Sequence, residues 1–199
     1  MIDTPAKPSR PEQQVYNGVF VLLGINLALF VLINLLGLPL QFLYLNHSNP
    51  VWFQFITSMF CHANWAHLSG NMFSLYVFGK IVEEEEGVLG IVASYLITGL
   101  GANLLSWLLL PSNVVSLGAS GAVFGLFAIS VLVKISWSWR RIIEVLILGQ
   151  FVISQVVSQV QNLNAQDGVN RIAHLGGAAV GVALIVGLYQ VTKGRSPKS

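Results

Sequence analysis

An all-α polytopic membrane protein is the fold class the sequence predicts, and three observations predict it. Of the 199 residues 54% are hydrophobic and only 9% are charged, with a mean hydropathy of +0.71, too apolar and charge-poor for a water-soluble domain. The apolar residues gather into runs of membrane-spanning length joined by short polar connections. Nine of the ten Lys and Arg residues fall on one side of a six-span arrangement, the bias that retains cations on the cytoplasmic face. The net charge of +2 comes from scattered bases, so no nucleic-acid partner is implied. A lone cysteine, Cys61, excludes an intrachain disulfide, and no metal site or cofactor motif is present.

Met1 to Gln14 is polar, proline-rich and basic at Lys7 and Arg10, and reads as a disordered cytoplasmic tail. Residues 15–192 hold the six spans, and residues 193–199 form a basic cytoplasmic tail. The first span covers Val19 to Leu40. No Ala-x-Ala-like site follows it, so it reads as a retained helix rather than a cleaved signal. Asn26 and Asn34 within it are expected to hydrogen-bond between helices. From Gln41 to Ala66 no apolar run is long enough to span, and Trp52, Phe53, Phe55, Met59, Phe60 and Trp65 crowd the segment. This composition suits an interfacial structured loop, with rings half in water. His47 reads as an ordinary loop residue.

The second span covers His67 to Val82. Glu83 to Glu86 follow as a solvated cytoplasmic cap before Gly87, with Glu83 one turn from Gly79 and within reach of a hydrogen bond inside the bundle. The third span, Val88 to Leu110, is closed by Pro111. A connection from Trp137 to Arg141, together with Lys134, leads to the fifth span, Ile142 to Val160. The hydrophilic Gln161 to Arg171 loop precedes the sixth, Ile172 to Val191. With six spans and the bases on one side, both termini are expected to be cytoplasmic.

The fourth span departs from the others. Ser120 to Lys134 is uncharged until its last residue, yet about 22 Å at 1.5 Å per residue falls short of a hydrocarbon core of about 30 Å. If Lys134 marks one face, Ser120 lies about 8 Å below the other, and Pro111 to Ala119 must dip into the bilayer. Irregular backbone at that depth requires a protein cover or a water-filled cavity. A serine opening a helix in such a cavity is a candidate nucleophile.

Other polar residues sit where polarity is costly. His67 and Asn71, four apart, share a helix face, and His62 lies in the approach. His174 lies about a turn inside Arg171, at a depth matching Ser120. A single serine or histidine in a helix bundle is ordinarily a hydrogen-bonding spacer. Their joint occurrence at one depth on one membrane face points instead to a site. Ser120 needs a base, and His174 is the ionisable side chain at a suitable depth. His67, Asn71 and the Ser120 N–H can donate to a developing oxyanion. Glu83 to Glu86 and Glu144 lie at the opposite face and Asp167 lies in a loop, leaving a Ser/His dyad rather than a triad. Gly118-Ala-Ser120-Gly121-Ala122 also lacks the last glycine of the soluble-hydrolase elbow.

Taken together, Gly118-Ala-Ser120-Gly121, His62 through His67-Leu-x-x-Asn71, Gly79-x-x-x-Glu83-x-x-x-Gly87 and Ala173-His174-x-x-Gly177-x-x-x-Gly181 resemble a rhomboid intramembrane serine protease. The glutamate run and the stretch after Ser120 look like the chloroplast and cyanobacterial members. The resemblance implies a six-helix rhomboid bundle with Ser120 and His174 as catalytic dyad. It also implies an oxyanion hole of His67, Asn71 and the Ser120 amide, and Phe124 as an aromatic wall beside the histidine. Gly118 and Gly121 flank the nucleophile, and Gly177 and Gly181 let two helices approach closely. His62 either holds a water near the oxyanion or is structural. The implied partners are transmembrane protein substrates and membrane lipids, with cleavage within or next to a transmembrane segment. The alternative is a catalytically inactive relative that binds transmembrane helices. One departure is Trp52-Phe53-Gln54, where many members carry Trp-Arg, and it is expected to leave the arginine's structural contacts unfilled. Without an Arg- and Ser-rich transit peptide, a bacterial, cyanobacterial-like membrane is expected over a chloroplast one.

Overall fold

The computed structural model describes residues 17–135 and 138–194. The expected tail from Met1 to Gln14, Trp137 and the last five residues lie outside them. The first apolar run forms α1 (Gly18–Phe30) and widens into a π turn over Val31–Leu35. The span ends five residues earlier than expected, because Gly37 turns at φ +66 and Pro39 cannot continue a helix. α2 (Gln54–Thr57) lies in the first loop, and α3 runs from Trp65 to Leu109 with a break at Gly87 (φ 76, ψ 179). That left-handed φ is open to glycine, and it folds α3 into two spans, so that Gly79 and Ile91 face each other across the bend. α4 (Ser120–Leu132), α5 (Trp139–Gln161) and α6 (Arg171–Gly194) complete the bundle. α1 with its π turn, α3, α5 and α6 are long and apolar enough to cross a membrane; α3 crosses twice, and α4 is the short sixth member.

α4 is the hub. Gly121 through Ser130 are all buried, with α3 and α6 packed against them. A helix enclosed by protein on every side need not match the bilayer thickness, which is how so short an element persists here. The irregular segment before it is covered only in part: Ser116 and Ala119 are buried, Pro111 to Asn113 and Val115 are exposed, and Val115 to Leu117 line a cavity. β2 (Val115–Ser116) pairs antiparallel with β1 (Leu45–Asn46) of the first loop, and the Gly118 N–H donates to the Ser58 carbonyl at 2.9 Å.

That first loop is held by side-chain hydrogen bonds that the sequence concealed. Gln54 is buried; its Oε1 accepts from the Asn46 and Val51 N–H groups at 3.3 and 3.2 Å, and its Nε2 donates to the Phe42 carbonyl at 2.9 Å. The glutamine therefore ties the loop together through its own hydrogen bonds. Thr57 Oγ1 donates to the Leu43 carbonyl at 2.8 Å, and Asn103 Nδ2 anchors the loop to α3 through the Phe55 carbonyl at 2.8 Å. His47 is likewise no ordinary loop residue. It is buried and hydrogen-bonds Ser116 Oγ at 2.9 Å through Nε2, and burial lowers its pKa.

Asn34 Nδ2 donates to the His62 carbonyl at 3.0 Å, in the loop before α3 rather than in a second helix. Asn26 Nδ2 donates to the Leu22 carbonyl of its own helix at 2.7 Å and, as expected, across to Tyr95 Oη of α3 at 3.5 Å. The glutamate run is not uniformly solvated. Glu84 and Glu86 are exposed, Glu85 lies 3.3 Å from Arg141, and Glu83 is fully buried. Glu83 accepts from the Gly18 N–H at the start of α1, with Lys80 Nζ 3.6 Å from its other oxygen. A buried carboxylate is costly unless paired; here an orphan helix N–H, the positive end of α1 and an ammonium offset that cost.

Candidate active site

Four helices, α3, α4, α5 and α6, and the segments that lead into α3, α4 and α6 line a cavity of about 590 Å³. α3 enters it through an N-cap: Asn64 Oδ1 accepts from the His67 N–H at 2.9 Å. Its first turns thereby place His67 and Asn71 on the cavity wall, one turn apart. Asn71 Nδ2 donates one hydrogen to the His67 carbonyl at 3.0 Å and keeps a second for another acceptor.

Gly118 leads into α4 at φ +124, and a side chain there would come within 2.7 Å of His67 Nε2. The same point lies 3.8 Å from Ser120 Oγ, so His67 and the serine flank one spot in the cavity. Ser120 is the first residue of α4, and Ala119 before it supplies no side-chain cap. The first-turn N–H groups are therefore free to meet an anion.

α6 begins at a cap built by Asn170, whose Oδ1 accepts from the Ala173 N–H at 2.9 Å. Its Nδ2 donates to Ser106 Oγ and Ser116 Oγ at 2.6 and 2.9 Å, tying α6 to the end of α3 and to β2. Arg171 and Asp167 pair across the loop, and the guanidinium, with the Val169 N–H, holds the Asp167 carboxyl well below the usual carboxylate range. Glycines then set the helix separation. A Cβ at Gly177 would stand 1.9 Å from the Gly121 carbonyl oxygen, and one at Gly181 2.6 Å from that of Gly125, so α4 and α6 meet backbone to backbone. At Gly121 the same contact brings the Ala173 carbonyl to 3.4 Å from the would-be Cβ, which sets His174 beside Ser120.

His174 stacks on Phe124 with centroids 4.5 Å apart and planes 7° from parallel. Ser120, His174, His67, Asn71 and Phe124 thus line one cavity. Ser120 Oγ and His174 face the same cavity without a direct hydrogen bond between them. His62 stands behind His67 with ring centroids 5.0 Å apart, fully buried, and neither of its ring nitrogens has a protein partner.

The sequence does not single out two glutamines of α5 on the cavity wall, Gln155 and Gln159. Gln159 of α5 places Oε1 2.8 Å from His174 Nδ1. Their signal was their spacing: Gln155 and Gln159 are four apart in an otherwise apolar span, hence on one face, and both line the cavity.

A six-span bundle built on a buried short helix, with a serine at its mouth and a histidine across a glycine contact, defines a rhomboid-type membrane protein. A Rhomboid domain matches residues 49–191, and the chain belongs to the rhomboid family. Over 191 residues it is 56% identical to Rhomboid-like protein 11, chloroplastic, of Arabidopsis thaliana, spanning 90% of this chain and 68% of that protein. It is 31% identical over 159 residues to Rhomboid protease AarA of Providencia stuartii, spanning 68% of this chain and 55% of that one. RHOMBOID-like protein 4 of Arabidopsis thaliana is 37% identical over 127 residues, which are 62% of this chain and 30% of the relative. The chloroplast-like character read from the motifs fits the first of these. The chain is an integral, multi-pass membrane protein.

Proposed function

We propose that the chain is an intramembrane serine endopeptidase that cuts peptide bonds within or next to transmembrane segments of membrane-protein substrates. The observation that carries this reading is the cavity wall shared by Ser120 and His174. In this mechanism Ser120 Oγ attacks the scissile carbonyl while His174 takes its proton. The tetrahedral oxyanion is held by the Ser120 N–H, His67 and the free hydrogen of Asn71. His174 then gives the proton to the leaving amine, and a water activated by the same histidine releases the acyl group. Gly118 and Gly121 shape the backbone at the nucleophile, Phe124 walls the histidine, Gly177 and Gly181 set the helix spacing, and His62 backs His67.

A serine below the membrane surface can reach a helical carbonyl only after the helix unwinds, and each freed backbone group is costly in hydrocarbon. Substrates should therefore carry Gly, Pro or Ser near the cut. Relative to alanine, glycine weakens a helix by about 1 kcal/mol and proline by about 3 kcal/mol. Purified protein in liposomes should produce new ends inside the membrane segment of such a substrate. Replacing its glycines or prolines with leucine should slow cleavage by about fivefold per glycine and about a hundredfold per proline. No new ends at all would refute the activity, and undiminished cleavage of the leucine version would refute selection by helix stability.

The distribution of bases supports an orientation with both termini cytoplasmic and the cavity facing the other side, in a cyanobacterial-type membrane or its plastid counterpart. A cysteine introduced at Ala165 should react with a membrane-impermeant maleimide from outside, and one at Arg140 should not. Cys61 leaves the background silent, since it is buried and burial pushes its thiol up to about 12. The reverse labelling pattern would overturn the orientation.

A further inference from the structure

α5 is the least embedded helix of the bundle: Val152 is its one buried residue. Polar contacts hold it near both ends. Arg141 reaches Glu85 and Glu144 reaches Lys134 near its start, and near its far end Gln159 meets His174.

We propose that Gln159 is a positioning residue that fixes both the ring flip and the tautomer of His174. The stack on Phe124 sets the plane of the imidazole but not its edge, because a half-turn about the Cβ–Cγ bond leaves the plane and the stacking area unchanged. Nδ1 and Cδ2 exchange places in that half-turn. An acceptor 2.8 Å from Nδ1 selects one of the two flips. It also selects the proton. A neutral imidazole carries one N–H and one lone pair, and Oε1 only accepts, so the N–H resides on Nδ1 and the lone pair on Nε2. The nitrogen left basic is the one that a serine proton requires. Gln159 thus takes the part that a carboxylate takes in a triad, with an uncharged amide carbonyl in its place.

The inference rests on the reading of Ser120 and His174 as a working pair, and its test separates the two. The full-length protein, labelled with 15N-histidine in micelles, reports the tautomer of His174 directly, with the signal assigned by its loss in His174→Ala. The native protein should show the Nδ1–H form. Gln159→Leu should shift it toward the Nε2–H form, lower kcat by about 10- to 100-fold and leave KM within about twofold. Gln159→Glu keeps an acceptor at the same reach and should restore the tautomer and most of the activity. Gln159→Asn, one methylene short, should behave like Gln159→Leu if the leucine variant does not fold. An Nε2–H form in the native protein, an unmoved tautomer in Gln159→Leu, a loss carried by KM, or no rescue by Gln159→Glu would each overturn the proposal. Expected tautomers in a protein with no Ser120-dependent cleavage would uphold the contact and refute the protease reading instead.

Discussion

If Ser120 and His174 form the proposed pair, Ser120→Ala and His174→Ala should each abolish peptide-bond cleavage, with kcat/KM falling by about 10⁴- to 10⁶-fold and the double variant no worse than either alone. Nucleophile and base act as one unit, so removing either removes the whole of their joint contribution. Both proteins should stay folded. Ser120→Ala deletes one oxygen at the mouth of a cavity and leaves the α4–α6 contact intact. His174→Ala loses the stack on Phe124 and the Gln159 bond but opens onto the same cavity rather than a sealed core. Native thermal unfolding beside absent cleavage is the expected pair of results. Turnover by purified Ser120→Ala within tenfold of the parent would exclude the serine as nucleophile.

Gly177→Ala should be the most damaging glycine-to-alanine change among the described residues. The added Cβ would stand 1.9 Å from the Gly121 carbonyl oxygen, and that atom belongs to a helix backbone with no rotamer by which to retreat. Overpacking ordinarily costs 1–3 kcal/mol, and a clash between two backbones exceeds that range, against a total stability of about 5–15 kcal/mol. Relief requires α6 to move away from α4, carrying Ala173 and His174 from Ser120, so activity falls with stability. Gly187 provides the control, with nothing within 4 Å of its would-be Cβ. Gly187→Ala should hold or raise the Tm, since alanine is the better helix former. A Gly177→Ala protein with native Tm and rate would mean that α4 and α6 are not in backbone contact.

These contrasts also mark what could be read from the chain before its fold. Hydropathy alone finds the apolar runs, and the shortness of the one at Ser120 shows because hydrocarbon thickness is a fixed ruler. Spacing does the rest where partners share a helix, as with His67 and Asn71, or where a repeat of small residues has only one use, as with Gly177 and Gly181. What stayed hidden are pairings between distant segments. Gln54 closes the first loop onto Phe42, Glu83 finds the start of α1, and His47 reaches Ser116. Gln159 finds His174 across the turn between two helices. No periodicity carries such information, and each residue alone reads as loop, cap or spacer. The break at Gly87 belongs with them: a glutamate run followed by glycine reads as a solvated cap between two spans, yet the helix continues to the turn because Glu83 and Glu85 have partners inside the bundle and at its edge.

The central claim, that Ser120 is a nucleophile activated by His174, is tested most directly by covalent capture. Purified full-length protein treated with a fluorophosphonate should gain one adduct, located by peptide mass spectrometry at Ser120. The phosphorus bonds to Oγ as fluoride departs, and the serine proton passes to His174. The adduct should vanish in His174→Ala although Ser120 is still present. An unmodified Ser120 in folded protein, an adduct on another residue, or equal labelling with and without His174 would contradict the account.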